Sequence, residues 1–164
     1  MNSLNPLVFC TPESPLVTFL ASYLIWFMFA GIFMLWAIDG RIKKEQAIHA
    51  FFATVLVYVI CEMFKNFFPT LRPFQTNGFP PLTLTIPKDG GFPSVHAAVS
   101  AAIAVSVWLH NKKIGLGFIV MAILVSLGRI LSNVHGIWDV TFGIFLGFMT
   151  SFILEKLHFT KLVK

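Results

Sequence analysis

Charge is scarce in this chain. Of its 164 residues only 12% are Asp, Glu, Lys or Arg, while 57% belong to the hydrophobic set and the mean hydropathy is +0.81. A soluble domain carries about 25% charged residues, so lipid is the expected solvent for much of this surface. Cysteine is scarcer still: Cys10 and Cys61 lie in or beside apolar sequence without metal-ligand spacing, which argues against a disulfide framework or a zinc site. Acidic residues number seven, leaving a formal net charge of +5. The Lys and Arg residues sit in short connectors, not along one polar face, so no nucleic-acid partner is expected and the bias of cytoplasmic loops toward basic residues explains them. There is no internal repeat and no low-complexity tract.

Long apolar runs are what the chain has in abundance. They predict spans at about 15–38, 47–64, 94–110, 114–131 and 137–154. Each span needs ~20 residues to cross ~30 Å of hydrocarbon, so five take on the order of 100 residues and leave little for a separate soluble domain. The expected fold is all-α, a polytopic membrane helix bundle forming one integral-membrane domain over residues 1–164. The first run has no basic leader before it and no small-residue cleavage site after it, so it reads as a retained span. Residues 1–14, with Pro6, Pro12 and Glu13, read as interfacial. The connector 65–93 holds Pro69, Pro73, Pro80, Pro81, Pro87 and Pro93, which would leave helix hydrogen bonds unmade in lipid, so it is expected outside the hydrocarbon.

Basic residues then orient the bundle. The connectors at 39–46 and 111–113 and the tail with Lys156, Lys161 and Lys164 all fall on one side, which the positive-inside rule makes cytoplasmic. The chain is therefore expected N-out and C-in, and its other polar clusters meet at the outer face.

Three such clusters carry chemistry. In the first, Lys65 and Arg72 are separated by close to two helical turns, so a helical extension of the second span would put both on one side, although Pro69 could distort it. Two cations suit a phosphate dianion, and they equally suit lipid headgroups at a span end. Glu62 lies at pairing distance from Lys65 on a helix. In the second, Gly90-Gly91-Phe92-Pro93-Ser94-Val95-His96-Ala97-Ala98 lies at the start of the third span; Pro93 and Ser94 make an ordinary helix start, and also a place where backbone N–H groups bind anions. In the third, Gly128 to Asp139, Arg129 precedes His135, and His135 stands four before Asp139. If the fifth span is already helical there, carboxylate and imidazole share a face. Gly143 and Gly147 have the GxxxG spacing and could pack helices within or between chains, so oligomeric state stays open.

Taken together, Lys65, Arg72-Pro73, Pro93-Ser94-Val95-His96 and Arg129, His135, Asp139 resemble the tripartite signature of the type 2 phosphatidic acid phosphatase superfamily, which includes membrane lipid phosphatases and is related to vanadium haloperoxidases. The short five-span layout is similar to bacterial undecaprenyl-diphosphate phosphatases of that superfamily. The usual Gly between Ser and His is Val95 here, whose backbone N–H remains, and the usual Ser before Arg is Gly128, which loses a hydroxyl.

The resemblance implies a lipid phosphatase in which His135 attacks phosphorus, Asp139 holds its imidazole, and His96 protonates the leaving oxygen. Lys65, Arg72, Ser94, Val95 and Arg129 would bind the phosphate oxygens. No cofactor or metal is expected: His96, His135 and Asp139 could ligate an ion, but the surrounding cations would repel it. The implied partner is a lipid phosphate or diphosphate, first a polyprenyl diphosphate, then phosphatidic acid, phosphatidylglycerol phosphate or a lipid A phosphate. The expected place is a prokaryotic plasma membrane, with the site on its extracytoplasmic side. A non-catalytic lipid-binding membrane protein is the rival of another class.

Overall fold

The computed structural model of the chain describes residues 14–38 and 41–157. The interfacial reading of residues 1–13, Cys10, and the tail residues Lys161 and Lys164 lie outside them. Every regular element among the described residues is helical. Helix α1, Pro15–Ala37, begins with Pro at its first position and contains one π-helical turn, Phe19–Tyr23. Helix α2 is Arg41–Phe67, α3 is Pro73–Asn77, α4 is Val95–His110, α5 is Lys112–Leu131 and α6 is Ile137–Lys156. The Asn111 side chain starts α5 by accepting from the N–H groups of Lys113 and Ile114, each at 3.1 Å.

Among the described residues four helices are long and apolar enough to cross a membrane: Pro15–Ala37, Lys44–Phe67, Lys112–Leu131 and Ile137–Lys156. The fifth apolar helix, α4, has 16 residues. At about 1.5 Å per residue it rises only ~24 Å, short of the ~30 Å hydrocarbon core. Its solvent is protein: α2, α5 and α6 pack around it, and Ala97, Ala98, Ala101, Ala102 and Ala104 are all buried. The bundle is thus a polytopic helical membrane fold organised about a short central helix. Trp26, Phe33, Val55, Phe145 and Phe152 remain exposed on the outer faces, as lipid contact requires.

The GxxxG pair packs helices within this chain. A Cβ on Gly147 would stand 2.2 Å from the Ala98 carbonyl oxygen, and one on Gly143 would stand 2.6 Å from that of Ser94. These glycines let α6 lie against the backbone of α4, and so bring the N-terminal ends of both helices together.

Over those ends lies the proline-rich connector, with α3 its one helix. Its backbone is tied to the α5–α6 turn: Phe74 N donates to Asn133 O at 3.1 Å and Leu82 N to Ser132 O at 2.9 Å. Asn133 takes φ +61° there, and its side chain exchanges hydrogen bonds with that of Asn77 at 2.7 and 3.1 Å. Two local expectations fail. Helix α2 ends at Phe67, so Arg72 stands on no extension of it and instead precedes α3, where its N–H donates to the Gln75 side chain at 2.8 Å. Helix α6 starts at Ile137, so His135 lies in the turn before it, not on its face.

Candidate active site

Arg72 is the hub of the site. Its guanidinium is buried and spends its fork on protein acceptors: Nε donates to Asp89 O at 3.0 Å, Nη2 to Asp89 Oδ1 at 3.0 Å and to Gly90 O at 3.1 Å, and Nη1 to Val134 O at 3.2 Å. Nη1 also lies 3.1 Å from His135 Nε2. The second oxygen of Asp89 takes the ammonium of Lys65, which reaches Glu62 as well, at 3.2 Å. One carboxylate therefore bridges the two cations of the first cluster. Burial alone would raise the Asp89 pKa, but the bond and charge of Lys65 and the charge of Arg72 outweigh it and hold the carboxyl below its ordinary value. Burial disfavours the charged form of Arg72 and lowers its pKa, with Asp89 pulling the other way.

His135 is buried between the connector and α6. Its Nδ1 lies 2.8 Å from the carbonyl oxygen of Gly91 and 3.7 Å from Asp139 Oδ2. A carbonyl only accepts, so in the neutral ring Nδ1 carries the proton and Nε2 presents its lone pair on the Arg72 side. Burial lowers the pKa of His135 to about 4; Arg129 and Arg72 reinforce the shift, and the nearby Asp139 opposes it. The ring is thus neutral across the physiological range. Asp139 Oδ2 meanwhile accepts from Gly136 N at 2.8 Å, fixing the first turn of α6. Asp139 thus stands close to the His135 ring without a hydrogen bond to it, and the hydrogen bond is made to the Gly91 carbonyl.

Ser94 is fully buried and its Oγ has no hydrogen-bond partner, while its N–H donates to Asp139 O at 3.0 Å. The hydroxyl does not cap α4, so the first N–H groups of that helix, from Val95 onward, have no side-chain cap. The Val95 side chain packs against the hydrophobic core. His96 follows it, within electrostatic reach of Arg129, His135, Lys65 and Arg72. Arg129 Nη1 donates to Ala21 O, in the π-helical turn of α1, at 2.9 Å, and its buried Nε has no partner. An unpartnered buried hydroxyl and an unpartnered buried guanidinium nitrogen are donors suited to an anion.

Gly128, where a Ser is usual in the superfamily the chain resembles, has a steric reason. A Cβ there would stand 2.7 Å from Ala21 N and 2.7 Å from Leu20 C. Helix α1 occupies the space of that side chain, and the same approach delivers the Ala21 carbonyl to Arg129. Two residues of the site were given no chemical role by the sequence: Asp89, within the connector 65–93, and Gly91, whose carbonyl orients the ring and leaves no mark in side-chain chemistry.

A family profile described as "PAP2 superfamily" matches residues 46–162. The chain is 32% identical over 152 residues to an undecaprenyl-diphosphatase of Sulfolobus acidocaldarius, covering 91% of this chain and 72% of that one. It is 29% identical over 140 residues to the bacitracin transport permease protein BcrC of Bacillus licheniformis, covering 84% and 68%. Its fold is similar to the crystal structure of Aquifex aeolicus LpxE, with a TM-score of 0.72 at 24% identity over 88% of each chain. It is also similar to that of a transmembrane PAP2 type phosphatidylglycerolphosphate phosphatase from Bacillus subtilis, with a TM-score of 0.60 at 22% identity over 90% of this chain and 75% of that one.

Proposed function

The chain belongs to the PAP2 superfamily, and from that premise we propose that it is a membrane lipid phosphatase that hydrolyses a polyprenyl diphosphate through a phosphohistidine. The observation that carries the reading is the neutral His135 ring, its Nδ1 proton held by Gly91 and its Nε2 lone pair turned to Arg72. Nε2 attacks the terminal phosphorus, and the bond from phosphorus to the leaving oxygen breaks. His96 gives that oxygen its proton, then takes one from the water that attacks the phosphohistidine and releases phosphate. Lys65, Arg72, Arg129, the Ser94 hydroxyl and the Val95 N–H hold the equatorial oxygens, which is most of what phosphoryl transfer asks of a protein. This scheme uses no metal.

Two observations support a lipid diphosphate. The undecaprenyl-diphosphatase of Sulfolobus acidocaldarius is the more identical of the two curated relatives above. Beside the site, the rings of Phe64, Phe92 and Phe142 form an apolar cluster, with centroids 4.8 to 6.4 Å apart, next to Lys65 and Ser94. An isoprenoid chain leaving a bound headgroup toward lipid would meet it. With the basic connectors cytoplasmic, the site faces the extracytoplasmic side of the plasma membrane; a reporter fused after Lys164 tests this, and an extracytoplasmic signal would overturn it.

The decisive assay is phosphate release by purified protein in detergent, comparing wild type with His135→Ala. Release by wild type alone is expected, and equal release from both would leave a non-catalytic lipid-binding protein as the better reading. A panel of polyprenyl diphosphate, phosphatidic acid, phosphatidylglycerol phosphate and lipid A at equal surface concentration then ranks substrates. The polyprenyl diphosphate is expected first.

A further inference from the structure

At the opposite end of the bundle, three more polar side chains converge. From Lys65 back to His49 helix α2 descends roughly 24 Å at about 1.5 Å per residue. There His49, from α2, meets His110, at the end of α4, and Glu155, near the end of α6. Glu155 Oε2 lies 3.6 Å from His49 Nε2 and 3.8 Å from His110 Nε2, and one donor atom from each residue falls within 4.8 Å of the others. We propose that His49, His110 and Glu155 form a binding site for a divalent transition-metal ion of the zinc type, joining α2, α4 and α6 at their basic-connector ends.

Three features favour a metal over a simple ion pair. The His49 side chain is 1% exposed, and neither of its ring nitrogens has a hydrogen-bond partner. Such a ring is costly to bury unless something takes its lone pair. His110 is already oriented as a ligand: its Nδ1 lies 2.9 Å from the Ser106 carbonyl oxygen, so that nitrogen carries the proton and Nε2 is left free toward Glu155. A hydrogen bond from the other ring nitrogen to a carbonyl is the usual support of a metal-bound histidine. Finally, ligand atoms around a tetrahedral zinc at ~2.0–2.1 Å stand ~3.4 Å apart. The two Glu155 separations are within a few tenths of an ångström of that edge.

Two imidazoles and one carboxylate suit zinc or cobalt, whereas magnesium and calcium favour oxygen donors. Glu155 is half-exposed, so the fourth position faces water. The Lys112 ammonium, at the start of α5, is held over the Trp108 ring, 3.2 Å from its centroid. The same three helices carry Lys65, His96 and Asp139 at their other ends. A metal here therefore braces the bundle without entering the reaction.

The test uses full-length, tag-free protein in detergent, stripped with chelator and titrated with Co2+, then with Zn2+. Wild type is expected to bind one equivalent of Co2+ with the intense visible bands of tetrahedral coordination, and to gain thermal stability with Zn2+ but not Mg2+. Glu155→Gln, at a half-exposed position that should not perturb folding, and His110→Ala are expected to lose both responses while keeping phosphate release. Absence of stoichiometric binding in wild type would overturn the proposal, as would equal binding in the two variants. Neither outcome bears on the phosphatase reading.

Discussion

His135 donates its Nδ1 proton to the carbonyl oxygen of Gly91 at 2.8 Å, so a backbone group of the long connector sets the tautomer of the ring at the centre of the site. The neutral Nε2 that results is the atom the proposed chemistry needs. Burial, reinforced by Arg129 and Arg72, keeps the ring neutral down to about pH 4. Protein labelled with 15N-histidine in micelles is expected to show His135 as the Nδ1-H tautomer from pH 5.5 to 8. A midpoint near the ordinary value of about 6.5 would contradict the buried geometry.

Because Gly91 holds the proton, Asp139 is the weaker partner of His135. Asp139→Asn keeps an acceptor for Gly136 N–H and leaves the Gly91 bond intact. Its phosphate release should fall by about 10²-fold, whereas His135→Ala should lose on the order of 10⁴-fold or more. Equal losses in the two variants would make Asp139 an obligatory member of the pair.

Asp89 engages Lys65 and Arg72, the two cations proposed to bind the phosphate, and would compete with it for them. Its depressed pKa keeps it charged at neutral pH, where one carboxylate offsets part of the charge that a phosphate would meet. Asp89→Asn should tighten inhibition by inorganic phosphate about tenfold, equal to ~1.4 kcal/mol, while slowing turnover through a less firmly held Arg72. An inhibition constant that rises would mean that Asp89 serves only to orient the guanidinium.

Gly128→Ser would restore the residue usual in the superfamily and should not help. Its Cβ would press on the backbone of Leu20 and Ala21, which no rotamer relieves, at a cost of ~1–3 kcal/mol. The thermal midpoint in detergent should fall, and phosphate release should fall with it as Arg129 loses Ala21. A more stable or more active variant would show that α1 yields easily.

The five apolar helices were legible in the sequence because charge is confined to their ends, and Gly143 and Gly147 marked a close helix contact without saying that it is internal. Lys65, Arg72 and His135 were legible as residues, but not their local geometry. Spacing suggested helical pairs, yet α2 stops at Phe67 and α6 starts after His135, so loops tied by Asn77 and Asn133 do the positioning. Asp89, Gly91 and the convergence of His49, His110 and Glu155 depend on contacts between segments far apart in the chain. No local pattern announces them.

The phosphohistidine mechanism is tested most directly by the stereochemical course at phosphorus, using a lipid substrate whose terminal phosphate is made chiral with oxygen isotopes and sulfur. Two successive in-line displacements, first by His135 Nε2 and then by water, give retention of configuration. Retention is the expected result. Inversion would mean that water attacks directly and that His135 acts as a base.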